Sequence, residues 1–404
     1  MLAVFALAVA WLPLLSSGAG AEPPADGDVV PGAWIVTVAP GASPDDVAAD
    51  HGRRLGASVD HVYRHAARGY AARMSSSAAA RAAADPRVAS VVPDRYVSIA
   101  AKPGGSGTAT PPPEEAPPTG VQRVYGGTSP GVAVAVIDTG IDTGHPDLKG
   151  LVKGGVNCTS GTSYKDGNGH GTHVAGTISA LKGNGGVVGV APGTFLYAVR
   201  VLNNAGSGTW SSVKCGVDWV AARATTIKVA NMSLGGGGSD GECGGNDALH
   251  NAICDAVEAG VTFVVAAGNE SDDAGRHVPA AYDEVITVSA LADSDGTPGG
   301  TWSSTACRSD QEETLADFSN HGTDVDLIAP GVCIRSTWKG GGYSTISGTS
   351  MASPHVAAGA ALYIAAHPGS TPAQVQAGLI AEGGTDWVGD ADGIKEPLLR
   401  VDTL

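Results

Sequence analysis

The chain has 404 residues, enough for two or three domains of roughly 150 residues and for a large buried core. Hydrophobic residues make up 43% and charged ones 16%, which excludes a disordered chain, and no run of about 18 apolar residues is present to cross a membrane. The formal charge of −16, from 24 basic against 40 acidic side chains, repels phosphate backbones and argues against nucleic-acid partners.

Residues Met1 to Leu15 are apolar apart from Pro13 and lead into Ala19-Gly20-Ala21, a small-residue cleavage pattern that makes Glu22 the first retained residue. No Lys or Arg precedes the run, but the expectation is a secretory leader over 1–21 and an extracellular protein. From Ala33 the pattern predicts a strand (33–38) and a helix opened by the Ser43 cap with Pro44 in its first turn. Two strands follow (57–63 and 69–74), then an alanine-rich helix (76–84) and a strand (88–99). This β-α-β-β-α-β order predicts a small ferredoxin-like domain over 22–101. Residues 102–120, with Pro111-Pro112-Pro113, predict an exposed, partly stiff linker.

From Val121 the grammar changes. Val132–Ile137 and Val261–Ala266 are unbroken apolar runs of the kind that form parallel strands covered on both faces, with shorter cases at 195–201 and 285–288. Helices are predicted over 210–223, 248–259 and 349–367, so residues 121–404 form a large α/β domain with a mostly parallel sheet. Residues 22–101 carry 9 acidic and 8 basic side chains, whereas 121–404 carry 29 and 15, a net of −14 that marks two separate units.

The six cysteines, Cys158, Cys215, Cys243, Cys254, Cys307 and Cys333, behind an export signal predict three disulfides. Fifteen connectivities exist; pairing neighbours gives Cys158–Cys215, Cys243–Cys254 and Cys307–Cys333. No Cys-x-x-Cys pair favours zinc.

Reactive groups in open α/β sheets gather beyond the carboxyl ends of the strands. Asp138 follows the first apolar strand, Asn269 closely follows the second in Ala266-Ala267-Gly268-Asn269, and His170 and Ser350 each open a helix-like stretch. A serine hydroxyl needs an imidazole to take its proton and a carboxylate to orient that imidazole, and the chain supplies Asp138, His170 and Ser350. The Asn269 amide and the Ser350 N–H are candidate donors for an oxyanion. Singly, each residue has a plain alternative: a turn aspartate, a loop histidine, or caps at Asn269 and Ser350. His173 and His355 are expected as hydrogen-bonded core residues, and His170-x-x-His173 lacks the spacing and the glutamate of a zinc helix. Position and residue type alone imply acyl transfer.

Taken together, the segments Asp138-Thr139-Gly140, His170-Gly171-Thr172-His173, Ala266–Asn269 and Gly348–His355 resemble those of the subtilisin-like serine peptidases over nearly all of 121–404. The region before the linker resembles their inhibitory propeptide. The resemblance implies a subtilisin-like three-layer peptidase domain behind a ferredoxin-like propeptide. It implies a secreted endopeptidase acting through an acyl-enzyme, inhibited by its own propeptide and freed by a self-inflicted cut between Ile99 and Gly120. Protein or peptide substrates would lie as an added strand between Gly206-Ser207-Gly208 and Ser233-Leu234-Gly235, with Ala267 and Gly268 lining a pocket for apolar or aromatic side chains. No cofactor is needed for chemistry. Asp147, with Leu181 and Asn184 of the following loop, matches a structural calcium site of the family. A monomer without membrane or nucleic-acid partners is expected. The alternative is a catalytically silent binding protein; an acid-active relative would lack His170 and Asn269.

Overall fold

The computed structural model describes residues 25–99, 110–111, 114–127, 129–300, 307–389 and 393–404. The expected leader, with residues 102–109, 112 and 113 of the expected linker, lies outside the described residues.

The first unit runs β1 (Val29–Val38), α1 (Pro44–Leu55), β2 (Ser58–Tyr63), β3 (Gly69–Arg73), α2 (Ser76–Ala83) and β4 (Val88–Ile99). Ser43 accepts the Asp46 N–H at the start of α1, and Ser75 accepts the Ala78 N–H at the start of α2. The strands pair antiparallel in the order β4-β1-β3-β2 around a small core that includes Val36, Val47, Tyr70 and Ala82, which is the expected ferredoxin-like arrangement.

The second unit opens with α3 (Thr119–Arg123), β5 (Val134–Asp138), β6 (Val152–Asn157), α4 (His170–Ser179), β7 (Leu196–Arg200), β8 (Ser207–Thr209) and α5 (Trp210–Ala221). It continues through β9 (Val229–Met232), β10 (Leu234–Gly237), α6 (Ala248–Glu258), β11 (Thr262–Ala266), β12 (His277–Val278), β13 (Ile286–Ala292), β14 (Thr314–Leu315) and β15 (Leu327–Pro330). The hairpin β16 (Ile334–Trp338) and β17 (Gly342–Ile346), then α7 (Thr349–Ala366) and α8 (Pro372–Glu382), complete it.

Strands β6-β7-β5-β9-β11-β13-β15 pair parallel in that order. Alternate residues of each strand face opposite helical layers. Val134, Val136, Val264 and Val288 pack under α7 with Met351 and Val356, while Ala135, Ile137 and Val265 pack under α5 and α6 with Val213, Val217 and Ile253. The chain fills one side of β5 with β6 and β7, then crosses to β9 on the other, so the topological switch lies at the end of β5 that carries Asp138.

The disulfides join Cys158–Cys215, Cys243–Cys254 and Cys307–Cys333, the neighbour pairing. Two departures from the sequence reading bear on function. Strand β4 outlasts its own sheet: Tyr96–Ile99 insert between β8 and β10. The described part of the expected linker is docked, with Thr110 bridged to Tyr343 and Ala116 to Val187.

Candidate active site

Asp138 ends β5, with both carboxylate oxygens 2.9 Å from the Nδ1 of His170 at the start of α4; both side chains are buried. The approach is close because residue 171 is glycine: a Cβ there would run into the Gly140 carbonyl. With Nδ1–H donated to Asp138, the other ring nitrogen is an acceptor, and Nε2 is buried with no hydrogen-bond partner among the described residues.

Asp166, a residue not singled out from the sequence, ties these elements together. It accepts from Thr139 Oγ1 (2.9 Å), Thr172 Oγ1 (2.6 Å) and the N–H groups of Asn168, Gly169 and Thr172. It thereby joins the turn after Asp138 to the first turn of α4. Burial pushes its carboxyl above the ordinary value, against the pull of those donors.

Ser350 lies in the first turn of α7, fully buried, and its hydroxyl donates to the Ser233 carbonyl at 3.1 Å. Ser233 follows β9, the neighbour of β5, and the β5–β9 ladder sets Val136 opposite Asn231. Two further steps along that register bring Asp138 level with Ser233, which places Ser350 over the same sheet edge. A polar network holds it there: Ser233 Oγ donates to the Ser350 carbonyl (2.9 Å), and Asn231 bridges Ser233 Oγ (2.9 Å) and Ser353 Oγ (2.8 Å).

Asn269 Oδ1 accepts from the Thr349 N–H (2.9 Å) and Thr349 Oγ1 (3.2 Å). No described residue engages its amide nitrogen. The loop is clamped by Asn320, whose Oδ1 accepts from the N–H of Glu270 and Asp272 and whose Nδ2 donates to the Ala267 carbonyl (3.0 Å).

The expected edge segments are both used. Ser98 and Val97 pair with Ser207 and Gly208, Ile99 N donates to the Gly206 carbonyl at 3.0 Å, and Ile99 and Ser98 pair with Leu234 and Gly235. The first unit therefore occupies the cleft as an added antiparallel strand. Ala267 and Gly268 line a cavity of about 230 Å³ beside it, and so do Glu270 and His277, which makes one wall polar. His173 and His355 are fully buried and bonded to the carbonyls of Ile334 and Met351, core positions as expected. Burial lowers His173 to about 3 and His355 to about 4, so both are neutral near pH 7.

Residues 129–386 match the model of the subtilase family, and residues 34–100 match that of the peptidase inhibitor I9. This chain belongs to the subtilase family. Subtilisin DY from Bacillus licheniformis is 43% identical over 249 residues, 61% of this chain and 81% of that protein. An extracellular serine proteinase from Thermus sp. (strain Rt41A) is 42% identical over 330 residues, 80% of this chain and 73% of its own length. Among solved structures, a cold adapted subtilisin-like serine proteinase aligns with a TM-score of 0.60 at 38% identity, over 70% of this chain and 97% of that one. The chain is thus a subtilase serine peptidase carrying an I9 propeptide domain, with the subtilisin-like fold.

The residues expected to hold calcium in this subtilase, Asp147, Leu181 and Asn184, lie together at the loop after α4. Leu181 donates its N–H to the Asp147 carbonyl (2.9 Å), and Asn184 turns its amide nitrogen to the Pro146 carbonyl (3.2 Å). Asp147 Oδ2 already accepts from Val187 N (3.1 Å) and Tyr343 OH (2.9 Å), leaving only Oδ1 buried and without a partner.

Proposed function

We propose that this subtilase is a secreted endopeptidase that cleaves peptide bonds through Asp138, His170 and Ser350, and that it matures by cutting away its own propeptide. The observation that carries the reading is the buried His170 ring. Its Nδ1 side is committed to Asp138 and its Nε2 lone pair is unclaimed, at the sheet edge where Ser350 stands and where a peptide strand already runs.

In the reaction the Ser350 hydroxyl turns from the Ser233 carbonyl to His170, and its oxygen attacks the substrate carbonyl carbon as Nε2 takes the proton. Asp138 stabilises the imidazolium. The oxyanion is met by the Asn269 amide and the Ser350 N–H, with the N-terminus of α7 adding a favourable dipole. His170 returns the proton to the leaving amine, and water releases the acyl group by the same route. Substrate backbones take the place held by Tyr96–Ile99, between residues 206–208 and 233–235. Beside Ala267 and Gly268, the Glu270 and His277 wall supports acceptance of polar side chains along with the apolar ones.

The β4–β10 ladder sets Ile99 opposite Leu234, and its next step belongs to Ser233, whose carbonyl holds the Ser350 hydroxyl. This supports a self-inflicted cut that follows Ile99, between it and Gly120. Secretion is supported by the leader-like residues 1–21 and by the extracellular Thermus relative; among the described residues no helix is long and apolar enough to cross a membrane. Solvent-exposed acidic side chains, the absence of a chemical need for a cofactor, and action as a monomer complete the reading.

Ser350→Ala is the test. Turnover should fall by about 10⁶ and the purified variant should stay at precursor length. Maturation of that variant at the normal rate would remove self-cleavage from the account.

A further inference from the structure

The propeptide reaches the cleft with more than its last strand. Ahead of β1, residues 25–28 close a turn in which the Asp28 N–H donates to the Ala25 carbonyl (3.1 Å) and the Ala25 N–H to Asp28 Oδ2 (2.9 Å), with Gly27 at φ +82°. This turn lies along the edge of β4 that faces away from β8. The Tyr96 N–H donates to the Asp28 carbonyl (2.9 Å), the Gly27 N–H donates to the Tyr96 carbonyl (2.9 Å), and Arg95 holds the Gly27 carbonyl (2.6 Å). On the same edge β10 pairs only with Ser98 and Ile99, then turns off to pair with β12 through Gly236 and Gly237. The turn takes up the edge that β10 leaves: a Cβ on Gly236 would stand 3.9 Å from both Asp26 Cβ and Gly27 N. Asp26 accepts from the Ser98 hydroxyl (2.6 Å) and lines the side-chain cavity together with Ala267, Gly268 and Glu270.

We infer that the turn at residues 25–28 is a second inhibitory latch, which sets Asp26 into the wall of the side-chain cavity and clamps Ser98 while Tyr96–Ile99 fill the cleft. This rests on the maturation proposed above, in that the latch delays release of the propeptide once the chain is cut. The turn lies outside residues 34–100, the stretch matched to the peptidase inhibitor family, so that match does not account for it. The hold is limited by charge. Burial raises the Asp26 carboxyl, the Ser98 hydroxyl pulls it down, and the Glu270 carboxylate of the same cavity raises it again, so an ionised Asp26 meets a like charge there. The latch therefore slows departure of the propeptide without fixing it in place.

Two measurements test this. In the uncut Ser350→Ala chain, where activity plays no part, hydrogen exchange at the Gly27 and Tyr96 amides should be slow. An unprotected Gly27 amide would overturn the latch whether or not the enzyme matures. The second measurement uses the processed complex, diluted at one pH and followed by the appearance of peptidase activity. Residue 26 is not part of the matured peptidase, so a variant there acts only through the propeptide. Asp26→Ala, which loses the Ser98 bond, should release activity about tenfold faster. Asp26→Asn keeps an oxygen for Ser98 and removes the charge that meets Glu270, so it should release activity no faster than the unaltered chain. An unaltered rate in Asp26→Ala, or equal acceleration by both substitutions, would overturn the inference. A chain that protects its Gly27 amide but stays uncut would keep the latch and remove the maturation.

Discussion

Lys214 gives the account a quantitative handle on how tightly the propeptide holds. It sits on α5 between Ser211 and Asp218, at the i, i+3 and i+7 spacing of one helix face, and the propeptide covers that whole stripe. Asp94 accepts from Ser211, Tyr63 OH donates to the Ser211 carbonyl, and the N–H groups of Arg64, His65 and Ala66 converge on Asp218. Beneath them the Lys214 ammonium is fully buried, 4.5 Å from the Tyr63 ring, with no hydrogen-bond partner among the described residues. Burial lowers it from 10.5 to about 7, against the opposing pull of Asp218, Asp255 and Asp247.

Departure of the propeptide uncovers this face and lets Lys214 return toward its ordinary value. The complex therefore binds fewer protons than its separated parts, and its affinity rises with pH from about 7 up to the ordinary lysine range. Below about pH 7 both forms are protonated and this group adds no further change. The span corresponds to about a thousandfold in the dissociation constant, roughly 4–5 kcal/mol. Asp94, raised by burial, acts in the opposite sense. The assay is the appearance of peptidase activity after diluting the processed complex at pH 7 and at pH 9.5, with all samples read on a fluorogenic peptide at one pH. Release should be faster at pH 7, and Lys214→Met should abolish most of the difference while slowing release at pH 7. An equal pH dependence in Lys214→Met would refute the reasoning.

Asn269→Ala should lower kcat by about 10²–10³ with KM little changed, since its amide acts on charge that exists only in the transition state; a loss confined to KM would reassign it to substrate binding. His173 and His355, lowered to about 3 and about 4 from 6.5, bind protons only on unfolding over that range, so stability is fully present above pH 6.5 and falls as pH drops toward those values. Each contributes a slope of up to about 1.4 kcal/mol per pH unit, and thermal melts of Ser350→Ala between pH 7 and 4 should show it. A flat melting temperature across that interval would mean the two rings are not held neutral in the fold.

Much of the architecture was legible because burial on both faces leaves a mark in one dimension. The Val134–Ile137 and Thr262–Ala266 stretches can only be central strands, and the Ser43-Pro44 start announces α1. The reactive groups were legible for the same reason, since Asp138 and the Ala267–Asn269 turn follow directly on such strands. What escaped acts across the fold. Asp166, Asn231 and Asn320 hold the site through bonds to residues distant in sequence, and nothing beside them in the chain signals it. Glu270 and His277 enter the pocket wall only through loop geometry. The Thr371…Gln374 capping box was a local signal for α8, and the box forms, but the segment lacks the apolar run that drew attention to other helices.

The central claim is that one hydroxyl, made nucleophilic by His170, performs the chemistry. A fluorophosphonate probe applied to the matured protein and located by peptide mass spectrometry tests it most directly. The account requires stoichiometric attachment at Ser350, lost in His170→Ala; attachment at another serine, or equal labelling without the imidazole, would contradict it.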